Sequence, residues 1–433
     1  MGIVIQKFGG TSLATADGRR RAVHWVARAR AAGHRPVVVV SAMGRRGDPY
    51  ATDTLLDLLA PLPRPPAWEA DRLMACGEII ATVVMAAHLR AEGLDAEPMT
   101  GPEAGIRTDD RHGDARILSV DPAPVRAVLD AGRVPVVAGF QGRTPAGRLA
   151  TLGRGGSDTT AVALGAALGA ELVDIFTDVD GIKTADPRLV PEARTIPELA
   201  YEEVFQLANA GARVLHPRAV EIARQAGTRL RVRSTFSEAP GTLVGPGQGF
   251  ADPWGHRQPD RAVTGITHLP GLTQFAVAPP AGAEADQHWA RLLFRDLGAA
   301  GISIDLINLF PDRVLFTVPS PAAARTRQTA AALGGAVEEH PGRAKVTVVG
   351  SAIQGLPGVM AQVMEALAGA GVPVLQTADS LSTITVLIDG EHAGRAVQAL
   401  HRQFGLERDP AAVRAAPVGA GRPPGHAAAS LDG

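Results

Sequence analysis

Ile3-Val4-Ile5-Gln6-Lys7-Phe8-Gly9-Gly10-Thr11-Ser12 is the stretch on which the fold turns. Apolar and β-prone residues run straight into a lysine, two glycines and two hydroxyls, the pattern of a buried strand ending in a bare loop. Behind it, residues 14–32 have helical spacing, with Ala22, Val23, Val26 and Ala27 on one face and Gly33 as the stop. Strand, glycine loop and helix in that order let backbone N–H groups approach a phosphate at a helix N-terminus.

Lysine is scarce: Lys7, Lys183 and Lys345 stand against forty arginines. Arginine serves almost wherever a positive charge is needed, so a retained lysine points to a use for a compact ammonium on a flexible stem. Beside two glycines at a strand end, Lys7 can follow a moving phosphoryl group. On the loop alone, a solvated lysine flanking a strand explains the residue equally well. The chain has no GxxxxGK[ST] phosphate loop.

The totals narrow the function classes. At 433 residues and 45% hydrophobic content, two or three globular domains are expected. A net charge of −1 removes any broad electrostatic case for nucleic acid or an anionic membrane. The single cysteine, Cys76, excludes an intrachain disulfide, and its apolar neighbours predict a plain core residue. The chain start lacks a charged n-region and cleavage site, and the longest apolar runs are broken by Gly, Pro or charge. The expected location is cytoplasmic.

Further along, a continuous apolar strand at 36–40 ends in Ser41-Ala42-Met43-Gly44. A helix over 67–89 carries Cys76-Gly77-Glu78; a glutamate buried there needs a cation, either a substrate ammonium or a structural arginine. A strand over 134–140 leads to Thr151-Leu152-Gly153-Arg154-Gly155-Gly156-Ser157-Asp158-Thr159-Thr160 and a helix at 161–168. That loop offers a guanidinium, hydroxyls, one carboxylate and free helix N–H groups. The plainer reading makes Ser157 or Asp158 an N-cap.

The strand at 172–176 ends in Thr177 and Asp178, with Lys183 and Arg188 in reach of the same rim. His216 before Pro217 reads as a structural histidine, and 230–235 as an edge strand. Strand–helix alternation to about residue 235 predicts a mainly parallel sheet with helices on both faces. Its polar clusters fall at strand ends, where such sheets bind ligands. A Gly- and Pro-rich linker is expected at 238–262. Two strand–helix–strand–strand units with closing helices follow at 263–340 and 341–409, repeating at roughly seventy residues. Their second strands are expected at 301–307 and 371–375. The tail at 410–433 has no apolar period and reads as disordered.

Taken in order, the loop at 7–12, Val39-Val40-Ser41-Ala42-Met43, Gly77-Glu78, and the segments 151–160, 177–188 and 213–217 resemble the aspartokinases. The resemblance runs from residue 1 to about 408. The runs at 44–53 and 376–380 are most similar to the diaminopimelate-sensitive type of Bacillus-like bacteria. It implies an α/β amino-acid-kinase fold followed by two ferredoxin-like ACT domains. The activity implied is ATP-dependent phosphorylation of the L-aspartate β-carboxylate with Mg2+, the first step towards lysine, diaminopimelate, threonine and methionine. Feedback inhibition by diaminopimelate, lysine or threonine, and a homodimer or higher homo-oligomer through the ACT domains, are implied too.

Residue by residue, the resemblance makes Lys7 the group that neutralises the transferring phosphoryl and Asp158 its organiser. Phe8, Gly9, Gly10 and Ser12 would line the phosphates, with Thr177, Asp178, Lys183, Arg188 and Arg213 on the nucleotide rim. Ser41, Thr52, Glu78, Arg154 and Ser157 would hold aspartate, and Ile304, Asp305, Asn308, Gln376 and Asp379 the effector. No metal site built from protein ligands alone is expected. Two positions depart from the pattern: many relatives carry Tyr where Lys183 stands and Lys where Arg213 stands. The rival readings are another amino-acid kinase and a catalytically inactive ACT-type sensor.

Overall fold

The computed structural model describes residues 2–60, 62–63, 65–212, 214–246, 263–280, 287–350, 353 and 356–408. Arg213, the expected linker from 247 onward and the expected disordered tail lie outside the described residues.

The N-terminal half begins β1 (Ile3–Phe8), α1 (Gly10–Leu13), α2 (Ala16–Ala31), β2 (Arg35–Val40), α3 (Thr52–Asp57), α4 (Ala67–Ala91) and β3 (Ala96–Met99). Next come β4 (Ile106–Thr108), β5 (Ile117–Val120), α5 (Ala123–Asp130), β6 (Val134–Ala138), β7 (Gln141–Arg143) and β8 (Leu149–Thr151). It closes with α6 (Gly156–Leu168), β9 (Leu172–Thr177), β10 (Glu198–Ala200), α7 (Tyr201–Asn209), α8 (Pro217–Ala226), β11 (Leu230–Ser234) and β12 (Thr242–Gly245).

Eight of these strands form one sheet in the order β10-β12-β11-β9-β1-β2-β6-β3, and every pair from β11 to β3 is parallel. Helices cover both faces, which is why Val37, Val38, Val39 and Val40 are all fully buried with no polar alternation. Each such side chain contributes roughly 1.5–3 kcal/mol through burial. Helix α2 starts where the Thr15 hydroxyl accepts the Gly18 N–H at 3.1 Å. It stops at Gly33, whose φ of 84° only glycine adopts readily.

Strand β1 lies between β2, the next strand in sequence, and β9, which arrives much later. That reversal of winding is a topological switch point. The register sets Phe8 level with Val40 and Phe176, Val40 with Ala138, and Phe176 with Arg233. The carboxyl ends of five parallel strands therefore open onto one rim. A smaller sheet, β5-β4-β7-β8, carries the chain from β6 towards α6.

Four sequence expectations change here. Strand β11 is interior, because β12 pairs antiparallel along its outer side. The stretch 238–262 is accordingly not linker throughout, since Thr242–Gly245 forms that strand. Cys76 is exposed, because it falls off the stripe of α4 that buries Asp71, Ala75, Glu78, Thr82 and Met85. And α4 is long and apolar enough to cross a membrane, yet it packs against β3 and β6 with those acids facing inward.

The C-terminal half runs β13 (Gly265–Ala278), α9 (Gln287–Ala299), β14 (Asp305–Leu309), β15 (Val314–Pro319) and α10 (Ala323–Ala331). It continues β16 (Ala336–Val349), α11 (Val359–Gly369), β17 (Gln376–Asp379), β18 (Thr383–Asp389) and α12 (Ala393–Gln403). All six strands make one antiparallel sheet, β14-β15-β13-β16-β18-β17. The two central strands each serve both units. The Leu272–Ala278 half of β13 pairs with β15 and with the start of β16, while Gly265–Leu269 pairs with the end of β16 beside β18. Each unit thus takes its fourth strand from the other's long strand. Strands β14 and β17 begin later than expected because Gly301 (φ 65°) and Gly371 (φ 64°) close the preceding helices, with Ile302 N–H donating to Leu297 O and Val372 N–H to Leu367 O.

The halves are joined by the chain segment leaving β9. Ala185, Val190 and Ala193 are buried in one cluster with Val346, Val363 and Leu400. Thr184 O accepts the Ile266 N–H at 2.8 Å, and the Thr184 hydroxyl meets His401 Nε2 at 2.9 Å.

Candidate active site

Lys7, next to last on β1, reaches the first turn of α6, where its Nζ lies 2.6 Å from Asp158 Oδ1. Both side chains are largely shielded, at 12% and 13% exposure, so the attraction is screened less than on an open surface. Helix α6 starts at Gly155, in the left-handed region, with no side-chain cap. Neither Ser157 nor Asp158 caps it, so the positive end of the helix stays open. Gly155 is obligatory twice over: its φ is 67°, and a Cβ would lie 2.3 Å from His216 Cβ.

The glycine loop after β1 is packed as tightly. A Cβ on Gly10 would lie 2.6 Å from Gly44 O and 2.7 Å from Ala42 O. Gly44 N–H donates to Gly10 O (2.9 Å), Ser41 N–H to Phe8 O (3.1 Å) and Gly9 N–H to Phe176 O (3.3 Å). Phe8 itself is fully buried and stacks on Phe176 at 4.7 Å, so its side chain is core and only its backbone can serve a ligand. The Ser12 hydroxyl is bonded to that of Thr235, just past β11, at 2.7 Å.

Helix α4 closes on the same rim through Gly77, where a Cβ would lie 2.7 Å from both Ala42 Cβ and Tyr50 O. That approach lets Glu78 Oε1 accept the Ala42 N–H at 3.0 Å. Glu78 is 2% exposed, its Oε2 is buried with no partner, and burial pushes its carboxyl up to about 8 against the pull of two backbone donors. A carboxyl so placed stays largely protonated at neutral pH and ionises more readily when a cation arrives beside it. Thr52 opens α3 on the adjoining loop. Ser157 is buried against Gly139, where a Cβ would come within 2.7 Å of the serine Cβ. Arg154 is exposed between Gly153 (φ 72°) and Gly155, four residues before Asp158.

The rim beyond β9 is less uniform. Asp178 accepts from Thr177 Oγ1 (3.1 Å) and from Arg45 Nη2 (2.7 Å). Lys183 Nζ donates to Thr195 Oγ1 at 2.9 Å. Arg188 is exposed and paired with Asp186, near His268 of β13, so it stands at the junction with the second sheet rather than with Lys7. His216 caps α8 by accepting the Arg218 N–H, and burial together with Arg218 lowers its pKa, which suits the structural reading. Sequence reasoning missed Arg45 and Thr235, which carry no spacing signal and reach the rim only through loop geometry.

In the second sheet, Asp305 is ion-paired with Lys345. Burial opposes the charge on Asp305, but the Lys345 hydrogen bond and charge prevail and hold the carboxyl below its ordinary value. Asp305, Lys345 and Asp379 line a cavity of about 210 Å³ with Gln206 and Asn209 of α7. Gln376 donates to Asn308 and Leu306 O and accepts from Gln274 Nε2 at 3.0 Å, tying the two units together. Ile304 is half-buried against the first unit's core.

Residues 2–234 match the amino acid kinase family and residues 338–402 an ACT domain. Aspartokinase 1 of Bacillus subtilis (strain 168) is 43% identical over 413 residues, covering 94% of this chain and 100% of the relative. An aspartokinase of Thermus thermophilus is 40% identical over 420 residues, again 94% of this chain and 100% of the relative. Among solved structures, E. coli aspartokinase III in complex with aspartate and ADP (R-state) superposes with a TM-score of 0.74 at 26% identity, covering 93% of this chain and 99% of that one. The same enzyme in complex with lysine and aspartate (T-state) gives 0.71 at 26% identity. Relatives matched across both halves, in the same order, leave one assignment: the chain belongs to the aspartokinase family.

Proposed function

We propose that this chain transfers the γ-phosphoryl group of ATP to the β-carboxylate of L-aspartate, releasing ADP and 4-phospho-L-aspartate. The observation that carries the reading is the shielded Lys7–Asp158 pair at the carboxyl end of β1, with the unpartnered Glu78 oxygen on α4 where that helix meets the Ala42 loop packed on Gly10. The E. coli relative bound to aspartate and ADP supports it.

Phosphoryl transfer asks for positioning and charge neutralisation more than covalent chemistry. Lys7 stays beside the transferring group, and Asp158 holds the ammonium in place. The glycine loop beyond Gly9, whose own N–H is held by Phe176 O, and the open α6 start offer backbone N–H groups to phosphate oxygens. No general base is required, because a carboxylate acceptor is already ionised at neutral pH. Glu78 Oε2 receives the substrate ammonium, Arg154 takes a carboxylate in a bidentate grip, and Ser41, Thr52 and Ser157 add hydrogen bonds. An N-acetylated acceptor brings no cation to Glu78, which disfavours that class of amino-acid kinase.

Among the described residues no group of three His, Cys, Asp or Glu is arranged to hold a metal ion. One carboxylate, Asp158, beside the phosphate path fits a Mg2+ carried mainly by the nucleotide's own oxygens. When bound, that ion supplies neutralisation of the β- and γ-phosphates.

The ACT pair makes the enzyme subject to feedback by an amino acid, a reading that the lysine-bound T-state of the E. coli relative supports, and Asp305 is the group proposed to receive its ammonium. Among the described residues strands β14 and β17 each pair on one side only, and Ile307 and Leu309 of β14 with Leu375 and Leu381 flanking β17 are exposed, so homo-oligomerisation runs through these edges. The deciding test is ADP release on addition of L-aspartate, with hydroxylamine trapping the acyl phosphate. Hydroxamate equal to ADP is expected; no ADP with any amino acid favours the sensor instead.

A further inference from the structure

Asp71 lies outside every role assigned above, yet it is fully buried and its carboxylate is saturated with donors. Oδ1 accepts from Thr151 Oγ1 at 2.6 Å. Oδ2 accepts the Thr151 N–H at 3.1 Å and the Gly113 N–H at 3.2 Å, and it contacts His112 Nδ1 at 2.7 Å. A buried carboxylate without such bonds is costly, so the network is built rather than incidental. Thr151 ends β8, three residues before Arg154.

The rest of that loop is gripped as well. Arg218 Nη1 donates to Leu152 O at 3.1 Å, and its Nη2 donates to Asp114 Oδ2 at 2.9 Å. Gly153 has a φ of 72°, which favours glycine, and sits close to Asp114, where an added Cβ would lie 2.7 Å from Oδ1. Loop and helix α4 are thereby fixed to one another. Asp71 and Glu78 are seven residues apart on α4, two helical turns along one buried face.

We infer that Asp71 is a positioning residue for acceptor recognition: one helix carries Glu78 directly and, through Asp71 and Thr151, sets where the Arg154 loop stands. The distance between the ammonium site and the guanidinium then measures the length of the dicarboxylic amino acid. This rests on the reading of Glu78 and Arg154 as aspartate ligands. Loosening the clamp spoils acceptor binding and the choice of aspartate over glutamate, one methylene longer, more than it disturbs the nucleotide side, which shares the α6 start with this loop but otherwise stands on β1 and β9.

The test is steady-state kinetics of Asp71→Asn and Thr151→Val with ATP, L-aspartate and L-glutamate. Asp71→Asn keeps the shape but turns an acceptor into a donor facing other donors; Thr151→Val removes one hydroxyl and leaves the remaining three contacts. The expected result is a KM for aspartate raised tenfold or more in Asp71→Asn and about threefold in Thr151→Val, with the KM for ATP within twofold of the parent. The aspartate-to-glutamate ratio of kcat/KM falls in the same order. If Asp71→Asn does not fold, Thr151→Val decides alone. Equal changes in both KM values, or an unchanged aspartate KM and selectivity in a folded variant, overturn the inference. Absence of aspartate-dependent ADP release in the parent is a different failure, that of the proposed activity.

Discussion

Lys7 Nζ and Asp158 Oδ1 meet at 2.6 Å where the central strand of the sheet and the open end of α6 converge. An ammonium held there, largely out of water, stabilises charge that moves during transfer far better than one free in solution. Lys7→Ala is expected to lower kcat by about 10²–10³-fold with far-UV circular dichroism unchanged. Lys7→Arg is expected to stay low, because a planar guanidinium cannot occupy the space of an ammonium flanked by Gly9. Near-parental turnover in Lys7→Ala removes this residue from the mechanism.

Glu78 gives a signature in pH. Its carboxyl is raised from 4.5 to about 8, chiefly by burial. Between those values the folded chain binds a proton that the unfolded chain has released, so stability falls as pH rises through the window, by up to about 1.4 kcal/mol per unit. Below it the group is neutral in both states and the penalty is absent. Glu78→Gln, neutral throughout, is expected to flatten the slope and to gain on the parent as pH approaches 8. Urea melts at pH 5, 6, 7 and 8 measure this, and parallel profiles for the two proteins refute it. Substrate binding runs the other way: the ionised form meets the ammonium, so kcat/KM for aspartate rises towards pH 8 in the parent and loses that rise in the variant.

Much of this was legible in the sequence because backbone sterics write it locally. The run Ile3 to Phe8, the valines at 37–40 and the glycines flanking Arg154 specify strand, strand and loop with little outside help. Glu78 announced itself as an acid inside an apolar helix. What escaped depends on contacts between distant segments. Asp71 looks like any helical acid until Thr151 and His112 arrive from elsewhere, and Arg45 is one arginine of forty until Asp178 faces it. The interlocking of the two C-terminal units was hidden for a related reason. A strand of fourteen residues that keeps β16 along both halves and gains β15 beyond a register shift has the same alternation as two shorter strands.

The Thr184–His401 bond crosses from the segment leaving β9 to α12, both partners being buried. Thr184→Val leaves His401 Nε2 without its partner, a loss of about 1–3 kcal/mol. The expected outcome is a lower Tm and weaker inhibition by whichever of lysine, threonine or meso-diaminopimelate inhibits the parent, with uninhibited kcat within twofold. Full feedback sensitivity at a lowered Tm reduces the bond to scaffolding.

Lys345 tests the effector assignment in the opposite direction, by strengthening it. Its ammonium already occupies Asp305, the carboxylate proposed to receive the effector's own ammonium, so an arriving amino acid must displace an internal cation. Lys345→Gln keeps a hydrogen-bond donor and removes the competing charge. Asp305 is then left without its counterion, and the effector gains whatever Lys345 had supplied. Inhibition is expected at a several-fold lower effector concentration, and Asp305→Asn is expected to abolish it. Dose–response curves for the three amino acids on both variants decide the matter: an unchanged or raised half-inhibitory concentration in Lys345→Gln means that Asp305 belongs to the fold of the ACT sheet and the effector binds elsewhere.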